Sequence, residues 1–358
     1  MRFIFKTDYN QDIDLAKHAG HVFWYGLLVL LLIAAPFIFG SYALTQLTFV
    51  LIYAIVGLGL MLLAGFTGLF SIGHAAFLGV GAYTEAYFTS HGVPFPIAMA
   101  LAAVLSAAVG VVVGLPALRV KGIYLGIATL SFGFIVEEVL ARWESVTKGN
   151  SGMSVGKPAM FGWTLSSDTE FYYLCLVVAI LATLAILNLL RSPTGRAFVA
   201  IRDSEISAQS MGINLARYKT LSFALSAALA GLGGALYAHK LSFISPDQFN
   251  IVQSIDLLLM VVIGGLGSVH GAFLGAIFLI TMPQAISMVK DYLPPTIGQA
   301  TGLQAVVYGA VLIGFVLFEP LGIYGRWLKM RTYLQLFPFY RKGMFKRQKT
   351  FQKSDRLK

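Results

Sequence analysis

Residues 191–219 read RSPTGRAFVAIRDSEISAQSMGINLARYK, the longest basic stretch inside an otherwise hydrophobic chain. The stretch lies between two long apolar runs and carries five Lys or Arg residues against two acidic ones. Pro193 and Gly195 open it, and apolar residues then recur at a spacing that lets them line one side of a helix. The pattern predicts a short amphipathic helix outside the membrane. Two interpretations stay open, a plain loop held inside by its charge and a docking surface for a cytoplasmic partner.

The composition places the chain in the membrane. Of its 358 residues 57% are hydrophobic and 12% are charged, whereas soluble domains carry about 25% charged residues. A chain of this composition cannot cover a water-facing surface, so we expect an all-α polytopic membrane protein. The single cysteine, Cys175, excludes an intrachain disulfide and a cysteine-based metal site.

Ten apolar runs divide the chain, and each approaches the ~20 residues that a helix needs to cross the hydrocarbon layer. They cover residues 22–40, 43–65, 72–90, 94–115, 122–141, 172–190, 220–239, 252–268, 270–289 and 300–318. We therefore predict about ten transmembrane helices, with both termini on the same side of the membrane.

The distribution of basic residues fixes the orientation. With both termini inside, the inner segments hold 21 Lys and Arg residues and the outer segments hold five. This excess predicts a cytoplasmic N-terminal segment (1–21), a transmembrane domain (22–325) with the cytoplasmic loop 191–219, and a basic cytoplasmic tail (326–358). The charge is thus a topology signal and does not indicate nucleic-acid binding. Three interpretations of the tail stay open: it is solvated, it contacts anionic lipid, or it reaches a cytoplasmic partner.

The longest external connection is predicted at residues 142–171, which are rich in Gly, Ser and Thr. Trp143 and Trp163 are typical of a membrane–water boundary. A connecting loop with interfacial anchors is favoured here over a structured cap.

An internal repeat is predicted from two matching hexapeptides, HAAFLG at 74–79 and HGAFLG at 270–275. At the same offset of 196 residues Gly68 falls on Gly264, and the repeat positions are Gly68, His74, Gly79, Gly264, His270 and Gly275. Transporters often carry such repeats around the substrate path. By the span count the repeat is parallel, and it becomes inverted if an intervening segment spans only half the membrane. No cysteine or carboxylate cluster accompanies the histidines, so we expect them to bond neighbouring backbone while the glycines permit close helix contact.

Ionisable residues at membrane depth are functional candidates because burying a charge there is costly. Glu85 and Asp256 are predicted in the outer halves of their spans, with Thr84 and Gln253 as polar neighbours. A substrate ammonium arriving from outside would meet these carboxylates first. We therefore predict that the translocation path includes Glu85, Thr84, Gln253 and Asp256.

The chain carries no energy source of its own. A phosphate-binding loop of the form Gly-x-x-x-x-Gly-Lys-Ser/Thr is absent from the sequence, and no catalytic residue or metal site is predicted. Nearly all basic residues lie outside the apolar runs, which disfavours a chain of buried proton carriers. A passive channel, a secondary carrier and a partner-driven pump remain, and the 191–219 stretch favours the last.

Four motifs carry a family resemblance. They read GFTGLFSIGHAAFLGVGAY at 65–83, LPALRVKGIYLGIATL at 115–130, GRAFVAIRDSE at 195–205 and VVIGGLGSVHG at 261–271. Together they resemble the permease subunits of branched-chain amino acid ABC importers, the LivM type, over residues 45–320.

The resemblance implies a multi-pass subunit of the bacterial inner membrane that is not itself an enzyme. Its implied partners are a second homologous permease, two cytoplasmic ATPase subunits that bind ATP and Mg²⁺, and a periplasmic amino-acid-binding protein. The implied cargo is a branched-chain or related hydrophobic amino acid. A permease of the same fold for urea, amides or sugar is the alternative, and a stand-alone secondary carrier is a more distant one.

In importers of this broad kind a cytoplasmic coupling helix with the pattern Glu-Ala-Ala-x-x-x-Gly enters a cleft on the ATPase. Ala208 and Gly212 match the second Ala and the Gly, whereas Ile206 stands where the pattern has Glu, and Glu205 is one position early. The residues predicted to couple the chain to the ATPase are Arg196, Arg202, Asp203, Glu205, Ala208 and Gly212.

Overall fold

The computed structural model describes residues 19–116, 120, 122–160, 163–290, 303–319 and 321–336. Helices are numbered in chain order as α1 Ala19–Ile38, α2 Ser41–Leu60, α3 His74–Ser90, α4 Phe95–Gly114, α5 Ile123–Arg142, α6 Glu144–Thr147, α7 Asp168–Arg191, α8 Pro193–Asp203, α9 Glu205–Ser210, α10 Leu215–Leu241, α11 Ile251–Gly264, α12 Val269–Lys290, α13 Leu303–Phe318 and α14 Gly322–Leu336. A π-helical turn, Met61–Phe66, extends α2. Four two-residue strands complete the fold: β1 Met153–Ser154, β2 Ala159–Met160, β3 Trp163–Thr164 and β4 Phe243–Ile244.

The described chain confirms a helical, polytopic membrane protein. Seven of its helical segments are long and apolar enough to cross a membrane. They are Ser41–Phe66, Phe95–Gly114, Ile123–Arg142, Asp168–Arg191, Leu215–Leu241, Pro246–Gly264 and Val269–Met288. The other three predicted spans fall on shorter helical stretches, Val22–Ile38, His74–Ser90 and Val306–Phe315. Most of the predicted tail lies outside the described residues.

The long helix α10 is the centre of the bundle, with α2, α3 and α4 packed around it. Small residues make this packing possible. A Cβ added at Gly59 of α2 would lie 2.6 Å from the carbonyl oxygen of Ser226, and one added at Gly110 of α4 would lie 2.6 Å from the Ala227 Cβ. In a membrane, where lipid supplies no hydrophobic drive between helices, such close contact is a main source of helix association.

Hydroxyl groups join the same helices by hydrogen bonds. The Ser226 Oγ of α10 donates to the Gly59 carbonyl at 2.7 Å, and the Ser106 Oγ of α4 donates to the Phe77 carbonyl at 3.2 Å. Both serines are completely buried, so these bonds satisfy polar groups that water cannot reach.

The contacts define two opposite ends of the bundle. At one end, here called the α8–α9 end, Arg202 of α8 donates to the Gly65 carbonyl at 3.1 Å. At the other, the cap end, β1 pairs antiparallel with β4 just beyond α10. The helix α10 runs from one end to the other, beginning at Leu215 and finishing at Leu241.

The segment that follows α5 differs from the favoured interpretation. Residues 143–160, here called the cap segment, form the short helix α6, a 3₁₀ turn and the strands β1 and β2. Thr147 is 1% exposed and its hydroxyl donates to the Leu140 carbonyl at 2.7 Å. The segment is therefore a structured cap rather than a connecting loop. Gly, Ser and Thr occur in tight turns as well as in flexible linkers, so the composition of this segment could not distinguish a structured cap from a connecting loop.

The two copies of the hexapeptide occupy comparable places, each starting a helix after a break in the chain. Gly68 has a positive φ angle, +76°, in the break that precedes α3, whereas its counterpart Gly264 is the last residue of α11, and the positive φ angle, +118°, falls on the next residue, Gly265. The glycines of the second copy permit close approach, because a Cβ at Gly264 would overlap the backbone of Gly271 and one at Gly275 the carbonyl of Met260. In the first copy a Cβ at Gly79 would lie 2.9 Å from the Phe249 ring.

The two histidines differ sharply from each other. His74 is completely buried, and within the described chain neither of its ring nitrogens has a hydrogen-bond partner. The expected bond to neighbouring backbone is thus not formed there. His270 lies within 2.7 Å of the Tyr25 hydroxyl and stacks on the Tyr324 ring, which ties α12 to α1 and α14. The two copies each lie at the start of a helix, but their histidines make different contacts.

We expect Gly234→Ala to destabilise the protein by about 2 kcal/mol, because its Cβ would overlap the Leu78 carbonyl of α3 and neither backbone can yield easily. Gly26→Ala in α1 is the matched control, since within the described part of the chain the added Cβ would have no atom within 4 Å apart from the adjoining residues and backbone of its own helix. Thermal unfolding in detergent, followed by size-exclusion recovery, measures both. Equal losses in the two variants would contradict the packing of α10.

Candidate functional site

The candidate site is the segment between α7 and α10, which folds as two helices rather than the single helix expected. The Ser192 hydroxyl caps α8 by accepting from the Gly195 amide at 3.4 Å, with Pro193 in its first turn. The Ser204 hydroxyl caps α9 by accepting from the Ser207 amide at 3.2 Å. Because Ser204 is extended, with φ −163° and ψ 112°, the chain turns between the two helices.

The helix α8 rests on the bundle through its apolar face. Ala197, Phe198 and Ile201 are buried, and the Phe198 ring contacts the Tyr218 ring of α10 edge-on at 6.2 Å. This face accounts for the first half of the apolar pattern in the sequence.

The helix α9 presents apolar side chains to the outside. Ala208 is 3% exposed and seats the helix, whereas Ile206 is 78% exposed and Met211 is 84% exposed. We call Ile206 and Met211 the exposed apolar pair. The apolar pattern had predicted that they line the same side as Ala197, but the break at Ser204 turns them outward.

Gly212 ends α9. Its φ is +85°, a left-handed conformation that side chains rarely adopt, and the following Ile213 amide donates back to the Ala208 carbonyl at 3.0 Å. The Asn214 side chain then caps α10 by accepting from the Arg217 amide at 3.1 Å. The chain thus reverses between α9 and α10 in a few residues, which fixes the exposed apolar pair relative to α10.

Glu205 faces its own chain. Its carboxylate lies 2.7 Å from the Lys219 Nζ of α10, and the Lys219 side chain is only 2% exposed. A cleft of about 570 Å³ borders this ion pair, with Gln209, Asn214 and Ala216 among its lining residues. The ion pair holds the start of α9 on α10.

The arginines of α8 play different parts. Arg202 donates to Gly65, and its guanidinium lies 3.1 Å from the Asp203 carboxylate, so it joins the segment to the end of α2. Arg196 is exposed and donates to the Arg191 carbonyl at 3.1 Å. The structure therefore places all six predicted coupling residues on adjoining helices at one end of the bundle.

The predicted path residues fall into two groups. Gln253 donates to the Tyr53 hydroxyl at 3.0 Å, and Asp256 accepts from the Tyr308 hydroxyl at 3.3 Å, both on α11. Glu85 is completely buried and lies 3.0 Å from His239 of α10. Thr84 donates to the Val80 carbonyl of its own helix at 2.6 Å.

Sequence reasoning missed Lys219 and His239. His239 is the last residue of the apolar run 220–239, and an ionisable side chain at that position is a signal that the sequence does carry. Lys219 was counted only as one of the basic residues of the loop.

Comparison with known proteins identifies the family. The family described as branched-chain amino acid transport system / permease component matches residues 42–316. The chain belongs to this permease family. No solved structure matches the permease.

Named relatives agree with the family. A high-affinity branched-chain amino acid transport system permease protein LivM from Salmonella typhimurium is 32% identical over 321 residues, 83% of this chain and 73% of the relative. The LivM protein of Escherichia coli gives the same identity and coverage. The LivH permease of Escherichia coli is 30% identical over 197 residues, 52% of this chain and 60% of the relative.

We expect Glu205→Gln to destabilise the α9–α10 junction by about 2 kcal/mol, because it leaves the buried Lys219 ammonium without its counter-charge. The exposed fraction of Glu205, 21%, keeps the loss below that of a fully buried pair. Adding Lys219→Met should recover most of the loss. A double-mutant cycle on thermal stability measures the interaction, and additive single and double effects would refute the pairing.

Proposed function

We propose that the permease is the membrane-spanning subunit of a binding-protein-dependent ABC importer in the bacterial inner membrane. With a second homologous permease it forms the translocation path for branched-chain or related hydrophobic amino acids. The names of the LivM and LivH relatives support this cargo. The observation that carries the proposal is the exposed apolar pair on α9, in the segment where the sequence resembles an importer's coupling loop.

The orientation follows from charge and contacts together. We propose about ten spans with both termini cytoplasmic, which places the α8–α9 end inside and the cap end outside. The basic residues of 191–219 favour this orientation by the positive-inside rule. The contact between Arg202 and Gly65 supports it, because the span count assigns both residues to the inner side.

Partner ATPases would bind at α9. Ile206 and Met211 lie five positions apart in a segment proposed to be in water, and the side chain of each is more than three-quarters exposed. Exposed apolar surface of this kind favours a protein interface. A short helix that presents apolar side chains suits a groove on a partner. ATP and Mg²⁺ would be bound by that partner, and its closure would move α9 and, through the Glu205–Lys219 pair, α10.

For the path we favour α11. Its Asp256 carboxylate is partly exposed and is held by the Tyr308 hydroxyl, and Gln253 lies one helical turn before it beside Tyr53. A carboxylate with neighbouring amide and phenol groups can receive an ammonium group. Thr84 is a weaker candidate for the path, because its hydroxyl already donates to the Val80 carbonyl of its own helix.

Another cargo is the second candidate. A relative named autoinducer 2 import system permease protein LsrC, from Enterobacter, is 26% identical over 200 residues, 53% of this chain and 55% of the relative. A permease of this fold can thus belong to a system with a chemically different cargo, such as urea, an amide or a sugar.

Purification of the tagged permease in mild detergent tests the proposal. We expect two ATPase subunits and a second permease to co-purify, and the companion binding protein to bind Leu, Ile or Val in titrations that include urea and amides. Recovery of the permease alone, under conditions that keep other ABC complexes intact, would favour the stand-alone carrier.

We expect the double variant Ile206→Ser, Met211→Ser to lower transport-coupled ATPase activity by at least tenfold, because two interface anchors that contribute about 1–2 kcal/mol each together exceed the ~1.4 kcal/mol of a tenfold change. Met288→Ser, at an exposed methionine of α12 that belongs to neither the α8–α9 end nor the cap segment, is the control and should retain wild-type coupling. ATP hydrolysis and substrate uptake in proteoliposomes measure coupling. Full coupling in the double variant would exclude the exposed apolar pair as the docking site.

A further inference from the structure

A buried polar chain at the cap end links α3, α10 and the cap segment. His239 of α10 lies between the Glu85 carboxyl of α3, 3.0 Å from its Nε2, and the Gly156 carbonyl, 2.8 Å from its Nδ1. The side chains of His239 and Glu85 are 1% and 0% exposed. The Phe95 ring of α4 packs edge-on against the imidazole at 5.1 Å.

The hydrogen-bond geometry determines how many protons His239 and Glu85 share. A carbonyl oxygen only accepts, so Nδ1 must carry a hydrogen in order to bond Gly156. Between Nε2 and the Glu85 Oε1 there is then room for one proton, whichever atom holds it. With that proton the pair is neutral overall, and without it two acceptors would face each other in a site that excludes water.

The second carboxyl oxygen of Glu85 also favours a pair that is neutral overall. The Glu85 Oε2 is buried and has no hydrogen-bond partner within the described chain. A pair that is neutral overall tolerates such an oxygen far better than an isolated carboxylate would. The pair is therefore suited to hold a neighbour in place rather than to receive a charged substrate.

His239 acts on the part of the cap segment that is already joined to the bundle. β1 pairs with β4 through Met153 and Ile244, and the Val155 amide donates to the Ser242 carbonyl at 2.9 Å. The bond from His239 to Gly156 continues this ladder by one residue. Beyond it, Gly156 and Lys157 are exposed at the surface of the cap end.

We propose that Glu85 and His239 are positioning residues whose single shared proton fixes the cap segment on the membrane helices, in the geometry that an external substrate-binding protein requires. This inference rests on the proposed importer function, which places the cap end outside. Glu85 then acts on the docking surface through His239 and Gly156, and not on the substrate.

Two variants of similar size separate the proton from the volume. Glu85→Gln supplies an amide hydrogen to the imidazole Nε2 and should retain the chain of bonds. Glu85→Met fills the same space but donates nothing. His239→Phe is a second disruptive variant, because it keeps a ring against Phe95 and removes both nitrogens.

The experiment is performed on the assembled importer. Hydrogen–deuterium exchange of residues 152–156 reports the Val155 bond, and ATPase stimulation by loaded binding protein reports docking. We expect Glu85→Gln to match wild type in both. Glu85→Met and His239→Phe should exchange about tenfold faster and need about tenfold more binding protein for half-maximal stimulation, as expected for the loss of a buried hydrogen-bond partner.

His91→Phe is the matched control. His91 follows the end of α3 and is exposed, and its hydrogen bonds within the described ranges are to Tyr87 and Ser90 of its own turn. This variant should leave exchange and stimulation unchanged. A loss equal to that of His239→Phe would overturn the specific role of the buried pair.

The outcomes separate this inference from the proposed function. Equal behaviour of Glu85→Gln and Glu85→Met overturns the shared proton, and faster exchange with unchanged stimulation overturns the docking role. If wild type is not stimulated by any binding protein while the exchange results hold, the importer function fails and the shared proton stands.

Discussion

The contact of the α10 backbone with three neighbouring helices is the constraint on which the rest of the structure depends. Gly59, Gly81 and Gly110 bring α2, α3 and α4 so close to α10 that an added methyl group would meet backbone or Cβ atoms. The Ser226 hydroxyl of α10 then bonds the Gly59 carbonyl of α2, and the Ser106 hydroxyl of α4 bonds the Phe77 carbonyl of α3. Because close backbone contacts rather than bulky side chains determine this packing, α10 can occupy only one position in the bundle.

The fixed position of α10 determines what each of its two ends contacts. Near its start Lys219 holds α9 through Glu205, and near its end His239 holds the cap segment at Gly156. Both are polar groups buried in an apolar bundle, and each has the partner that makes its burial tolerable. One rigid helix thus positions a surface at each end of the molecule, the exposed apolar pair and the cap.

The helices could be predicted from local sequence, because an apolar run of sufficient length indicates a membrane helix whatever the rest of the chain contains. The close contact at Gly264 and Gly275 was also predictable, since a small residue in a membrane helix has few other uses. Pairings between distant residues were not. Nothing local distinguishes Glu205 facing Lys219 from Glu205 facing a partner. His74, whose ring nitrogens have no hydrogen-bond partner among the described residues, lies in nearly the same hexapeptide as His270.

The cap segment and the break at Ser204 show a second limit. A strand of two residues such as β1 exists only because β4, some 90 positions later, lies beside it, and no two-residue pattern can announce that. At Ser204 a good N-cap residue interrupts a pattern that also suits one longer helix. That interruption turns Ile206 and Met211 outward and leaves both side chains exposed.

Photo-cross-linking from Met211 shows whether the exposed apolar pair contacts an ATPase subunit. The native Cys175 is buried, so Met211→Cys provides one accessible thiol for a photoreactive maleimide, and Ser154→Cys provides one at the cap end. The account predicts that the label at 211 forms an adduct with a cytoplasmic ATPase subunit and the label at 154 does not. An ATPase adduct from position 154, or none from position 211 in an assembled complex, would contradict it.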